Sequence, residues 1–342
     1  MNQVLTARLE GSLRTGLRRA KTYLKSKRVV RNLLSDIDNQ DEFGHLYEHE
    51  RMLADARRVD TYREGIARNI RPGDVVLDLG TGTGILAFLA ARHGAARVYA
   101  IDHSPFIGVA ERVARHNRID NVVFVRMNSR AYTPPEPVDV VLHEQIGDEL
   151  FDENMVENLL DLRRRGVLRP GGRILPARFE LFIEPVTVKP AYRVPYVWER
   201  QIHGIDFSFL RSSGELARYM LPEHHLPYLR SGGLEHFLAE PEPLLSVDLD
   251  RIGSGDEIQR QFEMARVVQR PGVLDGFCMY FRAHFDDTVC FDTSPALPPT
   301  SWGNRLFRVE QRRCAAGEVL RYSVAIKDLV YAHTWEVRLE AR

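Results

Sequence analysis

The chain has 342 residues, more than one typical domain holds, so two are expected. Basic and acidic residues are equal in number, and the formal net charge of zero argues against a broad nucleic-acid-binding surface. Cys278, Cys290 and Cys314 show neither CxxC nor zinc spacing and read as reduced thiols of a cytosolic, cytoplasmic protein. No run approaches the ~18 apolar residues of a membrane span, and the N-terminus lacks a secretory h-region.

Residues 1–40 are basic and helix-prone. Leu5, Leu9, Leu13 and Leu17 form a stripe that Leu24 continues, and Arg8 to Arg31 holds nine Lys or Arg against one acid, Glu10. Three readings stay open for this segment. It is a helix packed on the next domain or a second subunit, a partner- or membrane-surface helix, or an organellar transit segment. Next, His45-Leu-Tyr-Glu-His49 formally matches H-x-x-E-H, but nothing supplies a clear third ligand, so no metal is expected. Arg57 and Arg58 lie just upstream of a glycine turn, and either suits a bidentate carboxylate clamp.

That turn belongs to Val75-Val-Leu-Asp-Leu-Gly-Thr-Gly-Thr-Gly84, on which the chain is organised. Val75, Val76, Leu77 and Leu79 make the short apolar run of a central parallel strand. Gly80, Gly82 and Gly84 allow a sharp turn and a close approach to a ligand. A helix over Ile85 to Arg92 follows, then a strand over Arg97 to Asp102. Asp102 stands at a strand tip, placed to bond a ribose diol. The spacing G-x-G-x-G is not the dinucleotide G-x-G-x-x-G. Asp78 would repel a pyrophosphate, whereas it suits the amino group and sulfonium of S-adenosylmethionine (SAM). The expected cofactor is therefore SAM, with a nicotinamide or flavin dinucleotide as the rival.

Alternation of strand and helix continues to about residue 177. A helix is expected over Pro105 to Asn117, strands over Val122 to Val125 and Val138 to Leu142, and a helix over Met155 to Arg165. A turn at Arg169 to Arg173 precedes a strand beginning at Ile174 and Leu175. This is a Rossmann-like, doubly wound α/β domain over 41–177, with ligands at the carboxyl ends of its strands. Over 178–342 the pattern becomes that of an antiparallel β domain of barrel or sandwich type. Its strands are expected at Phe179 to Val188, Met279 to Phe291, Leu306 to Gln311 and Val319 to Arg338. Helical signal near Ser213 to Tyr228 interrupts it, and the stretch from about 206 to 233 reads as an arm that contacts a second subunit.

Between Glu136 and Asp161 there are nine acids and no Lys or Arg. Such clustering raises carboxylate pKa values unless a cation sits among them. The run begins at the end of a buried strand, which favours a cation-binding mouth over a solvated surface. Two carboxylates of this loop would hold a guanidinium in its planar fork and offset its repulsion from a sulfonium.

With these residues in place, the chain resembles the protein arginine methyltransferase family from about Asp41 to the C-terminus, most densely between 43 and 185. Leu142 to Met155 is similar to that family's double-glutamate hairpin, which implies Glu144 and Glu153 as the substrate clamp and Met155 beside the target nitrogen. His49-Glu-Arg-Met52-Leu resembles the segment that folds over the cofactor, placing His49 at the cofactor, Met52 in the methyl-transfer pocket and Asp55 two turns along. The resemblance makes Arg58 the cofactor carboxylate clamp, and maps the cofactor loop onto Asp78, Gly80, Gly82 and Gly84 and the ribose acid onto Asp102. Leu168 to Pro176 resembles the junction into the family's β-barrel, and the arm implies a homodimer. Three positions depart from the pattern. Thr300-Ser301-Trp302 stands where the family has Thr-His-Trp, which leaves Ser301 short of the usual pairing with Asp55. Phe43 replaces a tyrosine. No acid occurs near the adenine position, where Asn128 and Ser129 are the polar groups. The implied reaction is methyl transfer from SAM to a guanidino nitrogen of arginine in a protein or peptide. The alternatives are a biosynthetic methyltransferase of free arginine or another small cationic metabolite, and a catalytically silent scaffold.

Overall fold

A computed structural model describes residues 45–212 and 226–340. The basic N-terminal segment, Phe43 and residues 213–225 of the expected arm lie outside them. The chain divides into two compact units, one ending at Glu50 and the other running from Arg51 to the C-terminus. Of the first, only 45–50 is described. It holds the start of α1 (Leu46–Ala54), on which His49 is buried.

Everything else belongs to the second unit. Helix α2 (Ala56–Asn69) leads into β1 (Val75–Leu79), α3 (Ile85–Arg92), β2 (Arg97–Asp102), α4 (Ile107–His116), β3 (Val122–Arg126), β4 (Val138–His143), α5 (Met155–Arg164) and β5 (Leu168–Leu175). The strands form a parallel sheet in the order β3-β2-β1-β4-β5, with Leu77 opposite Tyr99 on one side and Val141 on the other. Apolar runs dictate the order of burial. Every residue of β4 is buried and only Val75 of β1 is partly exposed, whereas β3, at the edge, has no fully buried residue. The Arg-Pro-Gly-Gly stretch expected as a turn before the last strand lies inside β5. It is absorbed by a register shift against β4, with Gly171 in the left-handed region.

Past the cis Leu175–Pro176 bond, β6 (Arg178–Val188) opens the antiparallel part. Then come β7 (Gln201–Ile202), β8 (Ile205–Asp206), β9 (Tyr228–Leu229), β10 (Leu234–Phe237), β11 (Leu245–Asp248), β12 (Gln261–Val267), β13 (Gly272–His284), β14 (Cys290–Asp292), β15 (Asn304–Cys314), β16 (Val319–Ala325) and β17 (Glu336–Leu339). The antiparallel domain, expected as a barrel or sandwich, consists of a seven-stranded sheet centred on β6 and β13 and a three-stranded sheet β12-β16-β17. They pack through aromatic rings. Phe277 meets Tyr322 at 4.4 Å, and the Tyr322 hydroxyl donates to the Ile183 carbonyl at 2.9 Å. Between the sheets, Glu184 is fully buried and takes a bidentate guanidinium from Arg266, which satisfies a charge that burial would otherwise penalise. The single strand expected over Met279 to Phe291 is two, split by a turn at Asp286, whose carboxylate accepts from the Thr288 and Val289 amides.

Parallel and antiparallel parts share one apolar core. Met155, Leu159 and Leu160 of α5 lie in the same cluster as Phe179, Phe277 and Trp302.

Candidate active site

The carboxyl end of the parallel sheet carries the glycine turn. Gly84 caps α3 in the left-handed region, and a Cβ there would stand 2.4 Å from the Phe88 ring, so only glycine fits. Asp102 fixes the turn from the next strand. One of its oxygens accepts from the Gly82 amide at 2.8 Å and the other from the Ser104 amide at 2.7 Å. Asp78 is 1% exposed, and one oxygen accepts from the Thr81 hydroxyl at 2.5 Å and the Ala87 amide at 3.1 Å. Its other oxygen, Oδ1, is buried without a hydrogen-bond partner. Burial pushes its pKa up to about 7.

These residues fit SAM. An orphaned buried carboxylate oxygen calls for a cation or donor, and Gly80 has open space within 4 Å where a side chain would lie.

Helix α2 brings the second set of groups. Asp55 caps it, its Oδ1 accepting from the Arg58 amide at 3.0 Å. One helical turn apart, Arg58 and Tyr62 project to one side. The Arg58 guanidinium is bonded to the Glu144 carboxylate, and its carbon lies 5.1 Å from the centre of the Trp302 ring. Buried Tyr62 donates to the His143 carbonyl at 3.0 Å, one residue before Glu144. Burial pushes the Tyr62 hydroxyl up, and the charges of Glu144, Arg58, Asp78 and Glu153 all act on it. Glu153 is half-buried in the turn two residues before α5. Glu144 is itself raised by burial, an effect that Arg58 opposes and that Asp55 and Asp78 reinforce. His143 is fully buried and held neutral, its pKa lowered to about 4, with Nε2 2.8 Å from the Pro176 carbonyl oxygen.

The third set comes from the antiparallel part. Trp302 donates from Nε1 to the Ile146 carbonyl at 2.5 Å, and its ring stands edge-on to Phe281 and Phe291. Asp148 accepts from the Gly303 amide at 2.8 Å and the Tyr228 hydroxyl at 2.6 Å, and Glu149 from Arg305 Nε at 2.5 Å. The cations missing from the acidic run are thus supplied from elsewhere in the chain: Arg58 on Glu144 and Arg305 on Glu149.

Several expectations change in detail. Ser301 does not leave Asp55 without a partner there, because its main-chain amide donates to Asp55 Oδ2 at 2.7 Å. The Ser301 hydroxyl is the atom left without a partner. Arg57 turns away from Arg58 and donates to the Pro298 and Asp292 carbonyls, which separates the two arginines by function. Met155 is fully buried at the start of α5, and Met52 is half-buried on α1. Asn128 caps a short turn at Ser129–Ala131 by accepting from the Arg130 amide, and the Ser129 carbonyl accepts from Arg165. Among the described residues no group of His, Cys, Asp or Glu is arranged to hold a metal, and none of the three cysteines is in a disulfide. Tyr62, His143 and Arg305 were not foreseen. Tyr62 had a signal, its place one turn after Arg58 on the same helix. His143 and Arg305 had none that spacing reveals.

A parallel sheet in the order β3-β2-β1-β4-β5 with a glycine turn and a strand-tip acid defines a Rossmann-like nucleoside-binding domain. The family profile described as a methyltransferase domain matches residues 70–209. The probable protein arginine N-methyltransferase 6 of Arabidopsis thaliana is 31% identical over 309 residues, spanning 78% of this chain and 69% of the relative. Protein arginine N-methyltransferase 6 of Danio rerio is 28% identical, spanning 81% and 80%. This chain belongs to the protein arginine N-methyltransferase family, whose methyl donor is SAM. The fold is that of two solved structures. One is the Trypanosoma brucei PRMT1 enzyme-prozyme complex with AdoHcy (TM-score 0.70, 24% identity, 83% of this chain and 89% of that one). The other is the open Arabidopsis thaliana arginine methyltransferase 10 (TM-score 0.72, 21% identity, 87% and 93%).

Proposed function

We propose that the enzyme methylates a guanidino nitrogen of arginine in a protein or peptide, with Glu144 and Glu153 as the acceptor clamp. One observation carries this reading. Glu144 already holds a guanidinium, that of Arg58, beside the Trp302 ring. A carboxylate and an aromatic face are what a second guanidinium, the acceptor's, requires at the same place.

SAM supplies, when bound, a methyl group on a positively charged sulfur. Gly80, Gly82, Gly84, Asp78 and Asp102 would hold it, with Arg58, Asn128 and Ser129 as further contacts. Glu144 and Glu153 bind two of the acceptor's nitrogens and localise its charge there, which leaves the third nitrogen the better nucleophile. Met52, Met155, Ser301 and Trp302 shape the acceptor pocket. Tyr62 keeps Glu144 in place through the His143 carbonyl.

The same reading makes the protein a cytoplasmic homodimer without nucleic-acid partners. No helix among the described residues is long and apolar enough to cross a membrane. Ile205 and Phe209, at the base of the arm, are 62% and 67% exposed, which supports the arm as a contact surface. Sedimentation of the full chain tests this, and a monomer at micromolar concentration removes the dimer.

The catalytic reading is tested by mass spectrometry of a reaction with labelled SAM and a mixed pool of arginine peptides and small guanidino metabolites. Label on peptides is the expected result. Label on free arginine alone would establish the small-metabolite alternative, which the substituted Ser301 motivates. No label on any acceptor while SAM still binds would favour the catalytically silent SAM-binding scaffold.

A further inference from the structure

A buried polar atom without a hydrogen-bond partner asks for an explanation. Asp78 Oδ1 is one such atom, already placed against SAM, and Nε2 of the half-buried His103 is another. His103 is the first residue past β2, and its position is fixed from two sides. On one side is the glycine turn. The Gly80 and Thr81 amides donate to the Ile101 carbonyl at 3.0 and 2.9 Å, and the Gly82 amide donates to the Asp102 carboxylate. On the other side is the end of β3, where the Met127 amide donates to the Asp102 carbonyl at 3.0 Å. The bond from the Ser104 amide to Asp102 closes the bend around His103. His103 therefore stands between the glycine turn and residues 127–129, at the carboxyl end of the parallel sheet, where ligands of such sheets bind.

The polar groups expected at the adenine are tied into their own turn. Asn128 commits its side-chain oxygen to the Arg130 amide at 3.0 Å, and the Ser129 carbonyl accepts from Arg165 at 2.8 Å. Residues 127–132 include no acid. We propose that His103 binds the adenine ring of SAM, with Nε2 hydrogen-bonded to the edge of the base. The inference rests on SAM occupying the glycine turn. Asp102 takes the ribose diol, and the residue that follows it takes the base. An imidazole nitrogen donates or accepts according to its tautomer, so a ring nitrogen or the 6-amino group of adenine can complete the bond. The nitrogen is an orphan in the free protein and gains its partner only when the nucleoside arrives.

The test is calorimetric titration of the full chain with S-adenosylhomocysteine and, separately, with 5′-methylthioadenosine, which carries the same nucleoside without the amino-acid end. His103→Phe keeps an aromatic ring and removes its nitrogens. It should weaken both ligands by about three- to tenfold, the range of one hydrogen bond. His103→Gln, whose amide can bond in the same place, should recover part of that loss. Analogues of S-adenosylhomocysteine lacking the ring nitrogens or the 6-amino group of adenine, one at a time, then locate the bond. One of them should bind the wild type about three- to tenfold more weakly than the parent ligand does, and bind His103→Phe as well as the parent does. Circular dichroism checks the fold, and His103→Ala takes the place of His103→Phe if the larger ring is not accommodated. Undiminished affinity for both ligands in the variant overturns the assignment. So does a loss confined to S-adenosylhomocysteine, which would put the contact at the amino-acid end. So does a variant in which every analogue keeps its wild-type penalty, the mark of a loosened turn. A wild type that binds neither ligand overturns the cofactor reading itself, and the assignment of His103 with it.

Discussion

The main-chain amide of Ser301 donates to the carboxylate of Asp55 across 246 residues of sequence. The same carboxylate caps α2, so one side chain fixes both the helix that carries Arg58 and the loop that carries Trp302. Asp55→Ala removes a cap worth ~0.5–2 kcal/mol together with this tether. Thermal denaturation should show a loss of that order, and kcat should fall at least tenfold as Trp302 loosens. Ser301→Ala retains the amide and discards only an unpartnered hydroxyl, so its Tm and rate should match the wild type. A large loss in Ser301→Ala would place the hydroxyl in the mechanism.

Glu144→Gln keeps the shape of the proposed clamp and removes its charge. Turnover should fall by about 10²–10³, as for loss of one preorganised electrostatic contact, while SAM affinity measured by calorimetry stays near normal. The pH profile carries a sign. Only the ionised carboxylate binds a guanidinium in full strength, and burial raises Glu144 above the ordinary glutamate range. The rate should therefore be lost as pH falls through a value above the ordinary 4.5, and the residual rate of Glu144→Gln should lack this step.

Asp78 gives a stability prediction with the opposite direction from most aspartates. Its folded pKa of about 7 lies above the ordinary 3.8, so the folded state favours the protonated form. Its contribution is complete below 3.8 and is lost as pH rises through 7. In the ligand-free protein, the stability difference between Asp78→Asn and wild type should grow in favour of the variant from pH 4 to pH 7, then level off. A cationic ligand beside Asp78 reverses this, so SAM binding at pH 6 should release protons. Calorimetry in two buffers of different ionisation enthalpy reads that release directly.

Tyr62→Phe keeps the edge-on contact with Phe285 and removes only the bond to the His143 carbonyl. The cost is ~0.5–1.5 kcal/mol for the bond, more for the carbonyl left buried. Denaturant unfolding should show this, and kcat should fall several-fold with KM for SAM unchanged. Unaltered kcat at reduced stability would make the tyrosine purely structural.

Asp102→Ala removes both the expected ribose contact and the anchor of the Gly82 and Ser104 amides. SAM affinity should drop at least tenfold by calorimetry. Unchanged affinity would move the ribose contact elsewhere.

Local signals in the sequence were enough for the parallel domain. Period and glycine punctuation place β1, α3, β2 and Asp102 within a residue or two, because a buried strand and a tight turn are written in consecutive residues. The acidic loop was legible as a charge problem, but its solution was not. Arg58 and Arg305 reach Glu144 and Glu149 across 86 and 156 residues, and no local pattern encodes such a pairing. The split between β13 and β14 was missed for a similar reason. The turn at Asp286 is held by its carboxylate, and the apolar residues on either side read as one run.

The indole of Trp302 grips the backbone of the acidic hairpin at Ile146, and Gly303 and Arg305 grip its next two carboxylates. The hairpin hangs from one half of the polypeptide and is buttoned to the other. Excising the nucleoside-binding half would therefore lay open the core that both halves share and leave the hairpin with nothing firm against which to grasp an acceptor. Selectivity and turnover in this enzyme are inherited together, because the same stitches secure both.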